Sequence, residues 1–261
     1  MTPAGFYAWR RRGESAHAGQ DRRLSAEIAR RFAEHRGRYG SPRLHRLLAA
    51  AGWAVGRRRV ARLMREAGLR ARAARGCRPK AKTLALYARH PDRHRGLAVE
   101  RPDQVWVGDI TYLRVAGGGG WRYLAIVMDQ YSRRVLAWSL TRRRTAAVTC
   151  AVLARAARGR RPARGAIFHS DRGSEYMGAP FCALVARLGL QQSASARGPG
   201  DNPHAESFFH SLKAELTRGT AFATERQLRA ALRGYIRYYN AVRLHSGLGY
   251  AAPLDFEQRV A

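Results

Sequence analysis

The amino-acid pattern changes near residue 104, and this change most constrains the fold. Three β-rich stretches follow, at residues 104–115, 121–129 and 134–140, and four consecutive glycines separate the first two. Short β-rich runs joined by turn residues predict hairpins between strands that are neighbours in sequence. The three stretches therefore predict an antiparallel meander.

Alternating helical and strand patterns follow the meander. Apolar residues at helical spacing mark 145–158, 180–188, 204–217 and 225–240, and short apolar strands are predicted at 166–168 and 190–193. The order βββαβαβα, with a further long helix, is typical of a ribonuclease-H-like α/β fold. We therefore predict a five-stranded mixed sheet with helices for residues 101–261.

An all-helical region is predicted upstream. Residues 22–36 carry apolar side chains at four-residue spacing, which indicates an amphipathic helix. Ser41 is the expected N-cap of a second helix, with Pro42 at its first helical position. A third helix ends at Gly68. Its inward-facing residues are Val60, Leu63 and Met64.

Arginines cover the other faces of the third helix: Arg57, Arg58, Arg59, Arg62 and Arg65. A helix, a turn and a basic helix form the arrangement of a helix-turn-helix DNA-binding domain. The alternative is a small helical bundle with a solvated basic face. The charge of the whole chain favours DNA contact, so these arginines are predicted DNA-binding residues.

That charge is extreme: 49 Lys and Arg stand against 18 Asp and Glu, a net charge of +31 in 261 residues. A field of this size favours a polyanionic partner such as DNA. The preference for Arg over Lys also reflects a GC-rich genome, but that bias does not account for the scarcity of acids. Residues 1–100 are the more strongly basic part, with 25 basic and 7 acidic side chains.

The same reasoning divides the chain into four segments. They are a basic N-terminal segment at 1–21, the helix-turn-helix domain at 22–75, a basic linker at 76–100 and the ribonuclease-H-like domain at 101–261. The three cysteines are far apart, so neither a zinc ribbon nor a disulfide framework is expected. No apolar run approaches the roughly 20 residues of a membrane span, and the N-terminus has no signal-peptide pattern. The sequence favours a reduced, cytoplasmic protein associated with the nucleoid.

Three carboxylates have specific settings in this basic chain. Asp109 lies inside an apolar strand, Asp171 closes a short strand, and Glu206 lies on a helix with an apolar stripe. A charge inside a strand is costly unless it is paired or metal-bound. Carboxylates that meet at one sheet edge can hold two divalent ions about 3.5–4 Å apart, which suits phosphodiester chemistry. The structural alternatives are an edge-facing Asp, an Asx-turn and a salt-bridged surface Glu.

Other polar residues are predicted to support these three. His210 and Lys213 follow Glu206 at i+4 and i+7, on the same helix face. Asn202, together with Asp201, is the predicted cap of that helix.

The remaining candidates have structural interpretations. His169 is predicted to pack or hydrogen-bond beside the site rather than to bind metal. Asp129 and Glu175 are second-choice ligands, because the first ends a strand before a turn and the second lies in a loop.

Taken together, several segments resemble the bacterial insertion-sequence transposases of the DDE, retroviral-integrase-like superfamily. The second-frame product (OrfB) of elements with two overlapping frames is the most similar type. The matching segments are Arg101-Pro-Asp-Gln-Val-Trp-Val-Gly-Asp-Ile-Thr-Tyr112, His169-Ser-Asp-Arg-Gly-Ser-Glu-Tyr176, Glu206-Ser-Phe-Phe-His-Ser-Leu-Lys213, Tyr235-Ile-Arg-Tyr-Tyr-Asn-Ala-Val-Arg-Leu-His-Ser-Gly-Leu248, Tyr39-Gly-Ser-Pro-Arg43 and Arg59-Val-Ala-Arg-Leu-Met-Arg-Glu66.

The resemblance implies a catalytic triad of Asp109, Asp171 and Glu206 that binds Mg²⁺, or Mn²⁺ in its place. It implies hydrolysis of a phosphodiester at an element end, then strand transfer by the freed 3′-hydroxyl, without a covalent protein–DNA intermediate. Lys213 is implied as a phosphate contact near the DNA end. The implied partners are the terminal inverted repeats, target DNA, further copies of the chain on DNA, and the upstream-frame product by fusion or association.

The sequence also departs from the family pattern. The 34 residues between Asp171 and Glu206 are one fewer than is usual, and the missing residue falls in the loop from Ser195 to His204. Pro203 replaces a common Ala, and Glu175 replaces a frequent Gln. An inactive, transposase-derived DNA-binding protein is therefore an alternative function, and a general nuclease of the same fold is another.

Overall fold

The computed structural model describes residues 2–3, 16–72, 91–195 and 202–260. Outside these ranges lie most of the predicted N-terminal segment, residues 76–90 of the predicted linker, Asp201, and the centre of the loop that is one residue short. The described residues fall into two compact units, one within residues 1–73 and one within 74–261. No described helix combines the length and apolar character that would cross a membrane.

The first unit contains the three predicted helices: α1 (Ala16–Glu34), α2 (Ser41–Ala50) and α3 (Arg57–Glu66). Their buried apolar residues include Leu24, Ile28, Leu44, Leu48, Val60, Leu63 and Met64. The inward-facing side of α3 is therefore confirmed.

The predicted N-cap of α2 is wrong. Gly40, with extended backbone, precedes the helix, so Ser41 is already its first residue and Pro42 its second. The amide groups in the first turn of a helix have no partner within the helix, so a proline, which lacks the amide hydrogen, is accommodated there. The position of Pro42 therefore does not show which residue begins α2 to within one residue.

The second unit is built on a five-stranded sheet in the described residues. Its strands are β1 (Val105–Val115), β2 (Gly120–Asp129), β3 (Val135–Thr141), β4 (Ile167–Ser170) and β5 (Gln191–Ala194). Their order across the sheet is β3-β2-β1-β4-β5. Strands β1 to β3 form the predicted antiparallel meander, and β4 and β5 add parallel to β1. The prediction of a mixed sheet is confirmed.

Helices surround this sheet: α4 (Ala146–Arg160), α5 (Ser174–Met177), α6 (Ala179–Arg187), α7 (Pro203–Leu212), α8 (Glu225–Ala241) and α9 (Pro253–Val260). Successive side chains of β1 point to opposite faces of the sheet, and each face carries its own apolar core. Val105 and Val107 pack with α7 and α8 on one face. Trp106 packs with α4 and α6 on the other.

Three local features differ from the sequence-based prediction. The helix predicted for 204–217 ends as an α-helix at Leu212, and Lys213–Thr217 continues it with π-helical hydrogen bonding. The short helix α5 follows Asp171 where a loop was predicted. The C-terminal helix α9 was not predicted, because eight residues are too few for a clear apolar period.

Candidate active site

Two of the candidate carboxylates are positioned by neighbouring parallel strands. Gly108 of β1 pairs with Ser170, the last residue of β4, and each is followed in the chain by an aspartate, Asp109 on β1 and Asp171 just after β4. The parallel register therefore brings these two side chains to the same edge, where β4 ends.

Gly108 leaves room for the side chain of Phe168 beside this edge. A Cβ atom at this position would lie 2.4 Å from Cζ of the buried Phe168 ring. The Phe168 ring thus occupies the space that a side chain at position 108 would fill. A glycine is therefore required directly before Asp109.

Asp109 is the carboxylate with the most perturbed chemistry. Its Oδ1 accepts a hydrogen bond of 2.7 Å from the amide of Ile110. Burial, followed by the negative charge of Asp171 and a further contribution from Glu206, raises the pKa of Asp109 to about 7. Like charges close together disfavour ionisation, so Asp171 and Glu206 both lie near enough to act on Asp109.

Asp171 opens a tight turn. Its Oδ1 accepts a hydrogen bond of 3.0 Å from the amide of Gly173, which is the Asx-turn considered as the structural alternative. The turn leaves the Asp171 carboxylate at the sheet edge that also carries Asp109. Asp171 can therefore form the Asx-turn and still be a candidate metal ligand.

An ion pair with a buried carboxylate supports this turn. Glu175, on α5, is buried and its Oε1 lies 2.7 Å from Nε of Arg144. A Cβ atom at Gly173 would lie 2.6 Å from the same carboxylate oxygen, so Glu175 packs directly beneath the turn. Arg144 also acts electrostatically on Asp109 and Asp171. Arg144 lies in no recognisable sequence motif, and only the tertiary contact with Glu175 identifies it.

Glu206 is presented by α7, whose start is tied to β1 by Asn202. The Asn202 side chain accepts from the amide of Ala205, which confirms the predicted cap. Its Nδ2 also donates to the carbonyl oxygen of Gly108 at 3.2 Å. One amide side chain therefore holds the first turn of α7 against the residue that precedes Asp109. Glu206 itself is exposed and faces outward from the apolar stripe of α7.

Lys213 lies beyond Glu206, at the start of the π-helical segment. Its Nζ is 4.9 Å from the centre of the Tyr112 ring. Burial lowers the pKa of Lys213, and the charge of Asp109 opposes that shift. Lys213 is therefore close enough to Asp109 for their charges to interact. His210 is half-buried, one turn after Glu206.

The donor set suits a hard divalent cation. Asp109, Asp171 and Glu206 offer carboxylate oxygens, the ligands that Mg²⁺ and Mn²⁺ prefer. The raised pKa of Asp109 reflects burial first and then repulsion from the charges of Asp171 and Glu206, and a bound cation would offset both effects. These residues therefore fit a divalent metal ion.

A second group of polar residues includes His169 of β4, two residues before Asp171. Ligand atoms of Asp92, His94 and His169 lie within 4.8 Å of one another. His169 is fully buried, and its Nδ1 is 3.0 Å from Ser193 Oγ. Asp92 accepts hydrogen bonds from the backbone amides of His94 and Arg95. This group was not predicted, and it joins the segment before β1 to strands β4 and β5.

The predicted DNA-binding arginines of α3 fall into two sets. Arg57, Arg58 and Arg65 are exposed. Arg59 and Arg62 are half-buried, with nitrogens 2.7 Å and 2.5 Å from the carboxylate of Asp21 on α1. The second pair therefore contributes to the packing of the helical unit.

Comparison with known proteins agrees with this architecture. A family model described as an integrase core domain matches residues 99–199, and a second model of the same description matches 206–260. A model of an HTH-like domain matches residues 19–76.

Whole-chain relatives are also known. The transposase InsF for insertion sequence IS3A of Escherichia coli strain K12 is 37% identical over 261 residues, which cover 98% of this chain and 90% of that protein. The transposase for insertion sequence element IS904 of Lactococcus lactis is 35% identical, covering 90% of this chain and 93% of that protein. The catalytic core domain of HTLV-2 integrase superposes with a TM-score of 0.47 at 15% identity, covering 60% of this chain and 97% of that one.

The sheet order and the matches to the integrase core define the class: an integrase-core enzyme with a ribonuclease-H-like fold. The chain belongs to the family of insertion-sequence transposases. The predictions of fold class, family and enzyme class are thereby confirmed.

Proposed function

We propose that this transposase cuts and joins DNA at the ends of its own insertion sequence, using Asp109, Asp171 and Glu206 as its catalytic carboxylates. The observation that supports this most directly is their arrangement. Asp109 follows Gly108 on β1, and Asp171 directly follows Ser170, the residue of β4 that pairs with Gly108. The pKa of Asp109 is raised by burial and then by the charges of Asp171 and Glu206.

The three carboxylates hold the divalent metal ions, for which we propose Mg²⁺, or Mn²⁺ as a substitute. Such ions activate the attacking oxygen and stabilise the leaving oxygen in phosphodiester chemistry. Asn202 positions Glu206 through its bonds to Ala205 and Gly108. The Arg144–Glu175 pair positions Asp171 from below.

The reaction has two displacements at phosphorus. Water attacks a phosphodiester at the element end, and the broken bond leaves a free 3′-hydroxyl. That hydroxyl then attacks a phosphodiester of the recipient strand and displaces its 3′-oxygen, so the number of phosphodiester bonds is conserved in the second step. The Lys213 ammonium contacts a phosphate near the reacting end and offsets its charge.

DNA is also bound by the helical unit. Arg57, Arg58 and Arg65 are the exposed members of the basic α3 face and are the proposed phosphate or base contacts. Helix-turn-helix domains place such a helix in the major groove. We further propose a homo-oligomer on DNA, acting with the upstream-frame product by fusion or association.

The test is cleavage of a plasmid that carries the DNA flanking this gene, with purified full-length protein and Mn²⁺. Asp109→Asn, Asp171→Asn and Glu206→Gln should each lower nicking by more than about 100-fold, since even groups behind a metal ligand contribute 10–100-fold. Asp255→Asn, an exposed carboxylate on α9, serves as the matched control and should leave nicking unchanged.

Other outcomes separate the alternative functions. Nicking that persists in all three variants would contradict the triad. Binding of the flanking DNA without any metal-dependent nicking would favour the inactive DNA-binding protein. Equal cleavage of a plasmid without element ends would favour a general nuclease.

A further inference from the structure

An aromatic surface lies on the sheet beside the candidate active site. Tyr112 on β1 and Trp121 on β2 are 57% and 53% exposed. Their rings meet edge to face, with centres 5.1 Å apart. Large aromatic side chains contribute most of the apolar area in cores and interfaces, so two neighbouring rings that are left to solvent mark a contact surface.

The strand register explains why they share a face. Tyr112 is opposite Tyr123, and Arg114 is opposite Trp121. Residues directly opposite each other in an antiparallel pair, and residues two apart on one strand, project from the same side of the sheet. The preceding residue on this side, Ile110, packs with the α4 core. The exposed rings therefore continue a face that α4 covers further along the sheet.

Positive charges surround the two rings. The Lys213 ammonium lies 4.9 Å from the centre of the Tyr112 ring. A cleft of about 420 Å³ lies between the aromatic face and the π-helical segment. Its lining includes Tyr112, Arg114, Trp121, Lys213, Arg218 and Phe222. An aromatic floor with cationic walls suits a ligand that has both a flat ring and a negative charge.

A nucleotide has this combination, because its base stacks on aromatic rings while its phosphate pairs with Lys or Arg. Bases inside a duplex are already stacked on each other and expose no ring face to a protein. The surface therefore suits an unpaired nucleotide. A second copy of the chain is a poorer occupant, since each copy carries a net charge of +31.

The surface is also at a useful distance from the carboxylates. Tyr112 is three residues after Asp109 on one strand, which corresponds to about 10 Å along β1. One strand of B-form DNA advances about 3.4 Å per nucleotide. The Asp109 and Tyr112 side chains leave β1 on opposite faces, because they are an odd number of positions apart. Strand β4 pairs with β1 only as far as Gly108, and beside this open edge Lys213 lies next to the Tyr112 ring and interacts with the charge of Asp109. A DNA strand that passes around this edge reaches the rings within about three nucleotides of a phosphate held at Asp109.

We propose that Tyr112 and Trp121 form a stacking site for an unpaired base near the reacting DNA end. Arg114 and Lys213 hold the phosphates on either side. The proposal rests on the function proposed above and adds to it that the enzyme binds an opened, rather than fully paired, DNA end. Opening would expose the reacting phosphodiester to the carboxylates.

The test is a binding assay with full-length protein in EDTA, so that no cleavage occurs. One probe is a blunt duplex from the DNA flanking this gene; the other is the same duplex with its last three base pairs mismatched. A 2-aminopurine in the mismatched segment reports stacking by a loss of fluorescence. Wild-type protein should bind the opened duplex more tightly and quench the 2-aminopurine.

Tyr112→Ala with Trp121→Ala should reduce the preference for the opened duplex by roughly tenfold, abolish the quenching and leave affinity for the blunt duplex unchanged. Tyr112→Phe with Trp121→Phe should retain both properties. Val260→Ala removes an exposed apolar side chain from α9 and serves as the control.

Three results would overturn the proposal. They are equal binding of both duplexes by wild-type protein, quenching that survives the double alanine variant, and a double alanine variant that changes only self-association of the chain. The Asp109→Asn protein separates this proposal from the proposed function. If Asp109→Asn still nicks DNA while it also selects the opened duplex through the two rings, the catalytic assignment fails and the stacking site stands.

Discussion

Asp109 and Asp171 are neighbours because of register, but their immediate surroundings depend on a contact between two residues that are far apart along the chain. Arg144 lies between β3 and α4, and Glu175 lies on the short helix after Asp171. Their ion pair of 2.7 Å involves a buried carboxylate. A buried carboxylate that loses its partner is strongly destabilising, whereas replacing both partners is tolerated.

Arg144→Ala should therefore destabilise the catalytic unit by about 1–3 kcal/mol, below the usual cost for a buried pair because the arginine is half-exposed. Adding Glu175→Gln should restore most of that loss, because the buried charge is removed. Urea unfolding of the single and double variants measures both effects. A double variant no more stable than Arg144→Ala would contradict this account of the pair.

At the scale of elements, the π-helical segment Lys213–Thr217 is the least expected feature. Such segments are rare and frequently occur at functional sites. Here the segment places Lys213 beside Tyr112 and turns Glu215 inward. Glu215 is buried and accepts hydrogen bonds from Arg243 at 2.7 Å and from the hydroxyl of Tyr235 at 3.0 Å. The segment is thus fastened to α8 and to the chain that follows it.

Glu215→Ala should lower the free energy of unfolding by about 3–5 kcal/mol, because the Arg243 guanidinium would stay buried without its carboxylate. Glu215→Ala combined with Arg243→Met should recover part of the loss. Chemical denaturation measures the change, with Glu100→Ala as the control because Glu100 is exposed. An unfolding midpoint for Glu215→Ala equal to that of the control would show that the pair contributes nothing.

At the scale of the molecule, one carboxylate connects distant parts of the catalytic unit. Glu257, on α9, accepts hydrogen bonds from Ser132 at 2.7 Å and Arg134 at 2.6 Å. Arg160, at the end of α4, lies 2.8 Å from Glu257 and also 2.8 Å from Asp103, just before β1. The C-terminal helix is thereby joined to the end of the sheet opposite Tyr112.

This connection predicts a pH dependence. Burial raises the pKa of Glu257, but the hydrogen bonds from Ser132 and Arg134 and the charge of Arg160 outweigh it, so the pKa lies below its ordinary value of 4.5. A carboxylate with a lowered pKa contributes stability above its unfolded-state pKa and loses it as the pH falls through the folded-state value.

The difference in unfolding free energy between wild-type protein and Glu257→Gln should therefore be largest above pH 4.5 and shrink as the pH falls below it. Denaturant unfolding at a series of pH values from neutral to acid measures this difference. Asp255→Asn, two residues away and exposed, should show no such trend. A difference that stays constant with pH would mean that the ionised form of Glu257 gives no stability.

Much of this architecture could be predicted at the level of elements. The meander, the later strands and most helices were predicted to within a few residues, because the apolar periods of 2 and 3.6 residues are local properties of the chain. The ends were less certain, as Ser41 and Leu212 demonstrate. Helix α9 was missed because its eight residues are too few for a clear apolar period.

The sequence by itself determined the family, the ribonuclease-H-like order of elements and the choice of Asp109, Asp171 and Glu206 as candidates, because each depends on residue type and local spacing. Only the tertiary structure decided what surrounds them. The Arg144–Glu175 pair, the bond from Asn202 to Gly108 and the cleft between Tyr112 and Lys213 join residues that are far apart along the chain. Such contacts form when strands and helices pack, and they have no local period that a linear sequence could reveal.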